Sequence, residues 1–466
     1  MQRLYASCYE MDNRCYDACG LSEDILMEHA ARGMADAVRA RFAKGASVLI
    51  VAGPGNNGGD GTVLARQLLG DYDVRLVVPM GAKSPMAKLQ LERAQKVGVS
   101  PVETIEEADV IVDALFGAGL SRPLNDDTVA LLEKLNALQG FKLACDIPTG
   151  IDTEGNPSPT AFRADMTVTM GALKTALYND AAKGYVGDIV CADLGVSRTM
   201  YEAESEMFVL EEGDMALPHR ARADAHKGTY GHAAVFCGEK EGAAVMAGLA
   251  ASRFGAGLVT LVQHEPCPLP AELMHDTSVP PKATALAVGP GLGAHFDEDF
   301  LRRHIVESDT PLVLDADAFY SPLLLETLLQ PTRAVVLTPH PKEFAVLWEI
   351  LTRELLSVEE IQSHRFDIAR RFSARYPDAV LVLKGANPII AHRNTLYVNP
   401  LGTPALAKGG SGDILTGLIV ALLAQGYGAL DAALQGSLAH TAAARLFDGN
   451  SYALLPTDLI EALKRL

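Results

Sequence analysis

Cysteine is scarce in this chain: seven in 466 residues, an odd number. None forms a CxxC pair. Cys15 and Cys19 are the nearest neighbours, and no matching pair follows downstream. Neither a disulfide framework nor a structural zinc site is therefore expected, and a reducing, cytoplasmic setting is. Positive charge is also short. Lys and Arg number 40 against 58 Asp and Glu, a net charge of −18 at pH 7. Proteins that coat nucleic acid or an anionic membrane need a net basic face, so both partners are excluded. Long apolar runs are missing too. The longest, residues 414–424, contains Thr416 and Gly417. It is about half the length that spans a bilayer and predicts a buried helix. The N-terminal stretch MQRLYASCYEMDNR lacks the apolar segment of a signal peptide.

What is present suits a folded α/β enzyme. The chain is 48% hydrophobic and 21% charged, enough to bury a core. At about 150 residues per domain, the length allows three domains or two large ones. In the first half, short apolar runs at 47–52, 74–78, 110–113 and 141–145 alternate with amphipathic stretches near 61–70, 85–97 and 127–138. Continuous rather than alternating apolar runs predict a parallel sheet covered on both faces, in a doubly wound fold. A helix is predicted over 22–42, with Ser22 as its N-cap. Residues 201–207 are acidic with little apolar periodicity, which puts a domain boundary there: 1–207 and 208–466. The second half restarts the β/α rhythm with strands at 233–237, 258–262, 285–288, 312–315, 335–338 and 380–383. Its last long helices are predicted at 412–424 and 431–446.

The segment 53–61, GPGNNGGDG, follows a strand and opens a helix. Gly53, Gly55 and Gly58 satisfy GxGxxG, the pattern of a dehydrogenase dinucleotide site. Two features weigh against that. The next strand ends in Val77-Val78-Pro79-Met80, with no acid for a ribose diol. Asp60 at the helix start would repel a pyrophosphate. A tight turn with Asp60 as N-cap remains the plain alternative. Asp113 and Asp146 end two further strands and run into Gly-rich loops. Asn and Thr oxygens beside such carboxylates suit a hard cation.

In the second half, 408–417 (KGGSGDILTG) places a Gly-rich turn at a helix start. Its N–H groups and the helix dipole attract an anion. Asp413, in the first turn, is placed to take a proton from an attacking hydroxyl. Gly291 lies in a GPGLG turn after a strand. His340, set between two prolines at another strand end, is a donor or acceptor for a ligand. The amine of Lys384, at a further strand end, could meet a phosphate.

GPGNNGGDG, DALFGAGL and DIPTGID, together with residues 26–29 (LMEH), resemble the NAD(P)H-hydrate epimerase family and its Rossmann-like domain, over roughly residues 26–194. The resemblance implies a hydrated nicotinamide dinucleotide bound by Asn56, Asn57, Gly58, Gly59 and Asp60. Gly117, Ala118, Gly119, Leu120, Ser121, Arg122, Pro123 and Asp146 would complete that set. It implies a potassium ion held by Asn57, Asp113 and Thr149, with Thr149 where the family usually has Ser. Lys174 resembles a family lysine near the site. From about residue 217 onward, KGTYGH, GPGLG, LDADA, TPHPKE, VLKG and ALAKGGSGD resemble the ADP-dependent NAD(P)H-hydrate dehydratases, which have a ribokinase-like fold. That resemblance implies hydrated substrate at Ala243, Gly291, His340 and Asp413. It implies the adenylate of ADP at Lys384, Gly385, Ala386, Asn387, Pro388 and Gly412. Pro388 stands where Thr is frequent, and it cannot donate an N–H.

The implied reactions are epimerisation of R and S NAD(P)HX, and dehydration of the S form at the expense of ADP. Products of the second are NAD(P)H, AMP and phosphate. Asp413 is the expected base of the dehydration, and Asp146 the candidate acid/base group of the epimerisation. Mg2+ is expected with the phosphoryl transfer, and self-association is common among such dehydratases. The alternatives are a ribokinase-like kinase of a vitamin precursor fused to a ligand-binding domain, and a non-enzymatic scaffold role for the first half. Both implied substrates are polyanions, so a chain of charge −18 must bind them through local fields.

Overall fold

A computed structural model of the chain describes residues 1–120, 122–263, 268–294, 297–330 and 332–466. Two compact units emerge, Arg3–Ser205 and Glu206–Leu466, with Met1–Gln2 grouped with the latter.

In the first unit, helices α1 (Tyr9–Ala18) and α2 (Glu23–Arg41) precede a parallel sheet. Its strands are β1 (Ser47–Ala52), β2 (Asp73–Val77), β3 (Val110–Ala114), β4 (Phe141–Cys145), β5 (Met166–Met170) and β6 (Asp188–Ala192), in the order β2-β1-β3-β4-β5-β6. Helices α3 (Asn56–Leu68), α4 (Pro85–Lys96) and α5 (Asp126–Ala137) connect the early strands. All of β3 and β5 is buried, as expected when helices cover both faces. The predicted strands are present within about a residue. β5 and β6 were not predicted. β5 (Met-Thr-Val-Thr-Met) interleaves Thr with apolar residues rather than running apolar, and β6 is a half-exposed edge strand. The order reverses between β1 and β3. In such sheets the ligand crevice opens at the carboxyl ends flanking that reversal.

α3 corrects one expectation. It begins at Asn56, not near residue 61, so the Asn-Asn-Gly-Gly run is helical. Asp60 therefore lies inside the helix and is not its N-cap; that position is Gly55, which offers no side-chain bond. Close backbone approach explains the glycines. A Cβ on Gly53 would lie 1.8 Å from the Leu115 carbonyl oxygen, and one on Gly58 would lie 1.9 Å from that of Gly53. Ser22 precedes α2 but bonds Asp24 rather than capping the helix.

The second unit holds β7 (Met207–Val209), β8 (His232–Phe236), β9 (Leu258–Val262), β10 (Met274–Asp276), β11 (Ala285–Val288), β12 (Leu312–Leu314), β13 (Val335–Leu337), β14 (Ala379–Leu383), β15 (Ile389–His392) and β16 (Thr395–Val398). Their order is β10-β9-β8-β11-β12-β13-β14-β15-β16-β7. Pairs from β10 to β14 are parallel, and β14-β15-β16 is antiparallel. The β15–β16 hairpin turns through Arg393 and Asn394, both at positive φ (48° and 65°). That is the backbone of a two-residue turn matched to strand twist. Helices α6 (Glu241–Arg253), α7 (Pro341–Thr352), α8 (Arg365–Arg375), α9 (Ser411–Ala424) and α10 (Ala429–Arg445) flank the sheet. Every residue of α9 from Ile414 to Ala424 is buried, the fate predicted for the longest apolar run. Among the described residues, no helix is long and apolar enough to cross a membrane.

Candidate functional sites

In the first unit, Asp113 ends β3 and is fully buried. It accepts from the backbone N–H and hydroxyl of Thr149 (2.8 and 2.7 Å) and from the Leu115 N–H (3.1 Å). Burial still pushes its carboxyl up to about 6, against those bonds. The Thr149 hydroxyl also accepts from Phe116 N–H at 2.9 Å. Beyond Phe116, a Cβ on Gly117 would lie 2.8 Å from Asn57 Oδ1 and 3.2 Å from Asp146 Oδ2. The Asn57 side chain thus abuts the same turn as Thr149, and its Nδ2 is buried without a hydrogen-bond partner. The neutral oxygens of Asn57 and Thr149 beside the buried Asp113 carboxylate form a donor set that fits a hard monovalent cation.

Asp146 follows β4 with φ 68°, left-handed for a residue with a side chain. It is held there by many bonds. Oδ1 accepts Lys174 Nζ at 2.7 Å, Met170 N–H at 3.1 Å and the Thr169 hydroxyl at 3.2 Å. Oδ2 accepts Ala118 N–H at 3.3 Å. Lys174 Nζ donates further to Thr169 and Met170, both at 3.0 Å. Burial favours the neutral acid, but the Lys174 ammonium and these bonds outweigh it and hold Asp146 below the usual carboxylate range. Lys174 is raised in return, chiefly by Asp146 against its own burial. Asp60 sits among carboxylates that each have a donor: Asp146 with Lys174, Asp12 with the Tyr201 hydroxyl (2.6 Å), and Glu23 with Asn56. Burial and the charges of Asp146, Asp12 and Glu23 push Asp60 well above the usual range. Two carboxyls of one neighbourhood are thus shifted in opposite directions. Of the predicted loop, Gly117 and Leu120 are half-buried, and Ala118, Gly119, Arg122 and Pro123 are exposed. Ser121 lies outside the described residues.

In the second unit, Gly410 caps α9 in the left-handed region (φ 93°). A Cβ there would meet Pro456 at 2.6 Å. Asp413 lies in the first helical turn and makes no side-chain hydrogen bond among the described residues. Burial, then the charges of Asp315, Asp317 and Glu343, push it up to about 6, although Lys384 opposes them. Lys384, the residue expected to meet a phosphate, pairs with carboxylates in the structure. Its Nζ is 2.8 Å from Asp315 Oδ1 and 3.5 Å from Glu343 Oε2. It is also 3.5 Å from where a Cβ on Gly412 would lie, against the start of α9. His340 is exposed, but its Nδ1 accepts Glu343 N–H at 3.2 Å as the N-cap of α7, leaving Nε2 3.2 Å from the Glu343 carboxylate. Gly291 and Ala243 are linked through Lys240: its N–H donates to Gly291 O at 2.9 Å, and its carbonyl accepts Ala243 N–H at 3.2 Å.

The loop Lys384, Gly385, Ala386, Asn387, Pro388 is stapled by Arg365, which the sequence reading missed. Its buried guanidinium donates to the carbonyls of Leu383, Lys384 and Asn387 (3.1 to 3.2 Å). Pro388 contributes its carbonyl to Asn399 N–H at 3.0 Å. Also missed were Asp315, Thr416 and His440. Asp315 bonds the Thr416 hydroxyl at 2.8 Å. His440, buried on α10, contacts the Ser411 hydroxyl at 3.1 Å, and burial pushes its imidazole down to about 4. Asp315 stood inside the quoted LDADA motif and was passed over as a strand end.

Two family models match different parts of the chain. The family model described as NAD(P)H-hydrate dehydratase matches residues 233–465, and one described as YjeF-related protein N-terminus matches residues 23–176. A bifunctional NAD(P)H-hydrate repair enzyme of Helicobacter pylori is 42% identical over all of both chains. One from Coxiella burnetii is 36% identical over 96% of this chain and 95% of its own. An ADP/ATP-dependent NAD(P)H-hydrate dehydratase from Bacillus subtilis, co-crystallised with ATP and Mg2+, is 33% identical. It covers 53% of this chain and 92% of its own, with a TM-score of 0.46.

Proposed function

The chain belongs to the family of bifunctional NAD(P)H-hydrate repair enzymes, and from that premise we propose how its residues share the work. It interconverts the R and S forms of NAD(P)HX and dehydrates the S form at the expense of ADP, yielding NAD(P)H, AMP and phosphate.

For the dehydration, the observation that carries the assignment is the unpaired Asp413 carboxylate in the first turn of α9, behind the left-handed Gly410. Asp413 takes the proton of the C6 hydroxyl, whose oxygen attacks the β-phosphorus of ADP as the bond to AMP breaks. The amides of residues 409–412 and the α9 dipole stabilise the developing charge. Phosphate then leaves C6, the ring nitrogen supplying electrons, and a C5 proton is lost to form the C5–C6 double bond. Ala243, Gly291 and His340 line the hydrated ring's side. Lys384, Gly385, Ala386, Asn387, Pro388 and Gly412 line the adenylate side. Mg2+ would enter on the phosphates of ADP and neutralise their charge.

For the epimerisation, two carboxyls are pushed apart in pKa, which distinguishes an acid from a base. Asp60 protonates the C6 hydroxyl, which departs as water with electrons from N1. Water returns to the other face and gives up a proton to a carboxylate, with Asp146 the candidate base held in place by Lys174. Asn56, Asn57, Gly58, Gly59 and the 117–123 loop hold the dinucleotide. Asn57, Asp113 and Thr149 would hold potassium, whose charge offsets a buried carboxylate and attracts the anionic substrate. A reducing cytoplasm and self-association complete the proposal.

The test is direct. An R/S mixture of NADHX with ADP is followed by dihydronicotinamide absorbance. Asp413→Asn should abolish NADH formation and leave R/S interconversion, read by chromatography, unchanged. Loss of both activities in a folded variant would contradict the assignment of each to its own unit.

A further inference from the structure

One ammonium in the second unit faces several carboxylates. Around Asp413 act the charges of Asp315 and Asp317 after β12, Glu343 on α7 and Lys384 after β14; His340, the N-cap of α7, borders Glu343, and His440 on α10 borders Ser411. Lys384 could pair with more than one of these acids. Asp315 decides the choice. Its side chain is 2% exposed. Its position is fixed by backbone bonds, N–H to Val288 O (3.0 Å) and O from Ala318 N–H (3.1 Å). Oδ2 accepts the hydroxyl of Thr416, a fully buried residue one turn beyond Asp413 on α9, at 2.8 Å. Oδ1 holds Lys384 Nζ, also at 2.8 Å.

We propose that Asp315 is a positioning residue for the dehydration: it ties Lys384 to α9, so that the ammonium lies beside the phosphate-facing turn while the Asp413 carboxylate stays unpaired. A buried ion pair is a weak source of stability, because desolvation offsets its attraction. The geometry supplies another reason for it. Released from Asp315, Lys384 would turn toward Asp413 or Glu343. An Asp413 paired to ammonium is a poorer base, and the phosphate side of the turn loses its cation. Asp315 therefore acts through Lys384 and Thr416, without touching substrate.

This inference rests on Asp413 being the base, and the experiment separates the two. The pH dependence of kcat is measured from pH 4.5 to 8.5 with (S)-NADHX and saturating ADP, for wild type, Asp315→Asn and Thr416→Val. Asn keeps an acceptor for Thr416 and removes the charge that competes for Lys384. Removing a like charge and freeing an ammonium both favour ionised Asp413. The acid limb of Asp315→Asn should therefore move at least one pH unit lower, while kcat on the plateau falls at least tenfold. Thr416→Val, which keeps the volume and removes the anchor, should move the limb the same way by a smaller amount. It decides the matter if Asp315→Asn does not fold. A uniform fall in kcat with an unmoved limb in the folded variants would make Asp315 merely structural and overturn the proposal. If Asp413→Asn stays active, the underlying assignment of the base fails instead.

Discussion

Replacing Lys174 with Met tests the epimerase site as a physical object. The Lys174 and Asp146 side chains are 4% and 13% exposed and 2.7 Å apart. Met keeps much of the aliphatic volume but leaves the Asp146 carboxylate, the Thr169 hydroxyl and the Met170 carbonyl without their shared donor. Breaking one side of a buried pair costs about 3–5 kcal/mol. For a unit of this size that corresponds to a fall of about 6–20 °C in its melting transition. The pH dependence gives the sign. In the wild type, Asp146 is held below its unfolded pKa. It contributes stability above that value, which is lost as pH falls through the folded pKa. Lys174 is raised, so its contribution is complete below its unfolded pKa and disappears only at strongly alkaline pH. In the variant, burial acts on Asp146 against only the Met170 and Ala118 N–H groups and the Thr169 hydroxyl, and raises its pKa. Its ionised form then destabilises the fold at pH 8, and protonation relieves that penalty on acidification. The stability gap between the two proteins should narrow from pH 8 to pH 5. Calorimetry of the transition assigned to the first unit, at half-unit pH steps, reads it. Epimerisation at pH 7.5 should fall at least 100-fold, with ADP-dependent dehydration of pure S substrate retained. A gap below about 1 kcal/mol at pH 8 would refute the reasoning, as would one that does not change with pH.

Three further outcomes are expected. With Asp413 raised to about 6, kcat of dehydration should be level above pH 7. It should fall about tenfold per unit well below pH 6; an acid limb near 4 would exclude a base in this environment. Gly410→Ala places a Cβ 2.6 Å from Pro456 at φ 93°. The left-handed penalty alone is about 1–2 kcal/mol, and distortion of the phosphate-facing turn should raise KM for ADP at least tenfold without changing epimerisation. Potassium should raise the melting temperature of the first unit and its epimerase rate more than sodium at equal ionic strength. Asp113→Asn should remove the difference, and an equal response of the wild type to both ions would count against the cation site.

Legibility in the sequence followed unbroken apolar runs; β5, buried throughout, was missed because Thr interrupts it. The runs at 47–52, 110–113 and 141–145 were visible because strands covered on both faces carry no polar alternation. β6 escaped because it is half exposed, and β15–β16 because its turn is Arg393-Asn394 rather than a Gly-containing pair. The glycine and aspartate motifs marked both candidate sites, since a close backbone approach or a left-handed cap leaves few residue choices. The start of α3 was misplaced because four residues that usually break helices, Asn56 to Gly59, form its first turn.

The sequence by itself determined the class of fold, the division into two functional halves, the absence of a net field that could hold polyanions, and the turns that must supply local ones. Tertiary structure decided which charges meet. Asp315 and Lys384 are 69 residues apart, and Asp315 and Thr416 are 101 apart. Nothing in local propensity or periodicity marks such partners, because they are neighbours only where strand ends meet one another and the start of a helix. The same holds for Asp60 and Asp146. Their residue type is identical, and only the donors that folding brings to one and withholds from the other push the first above the usual carboxylate range and hold the second below it.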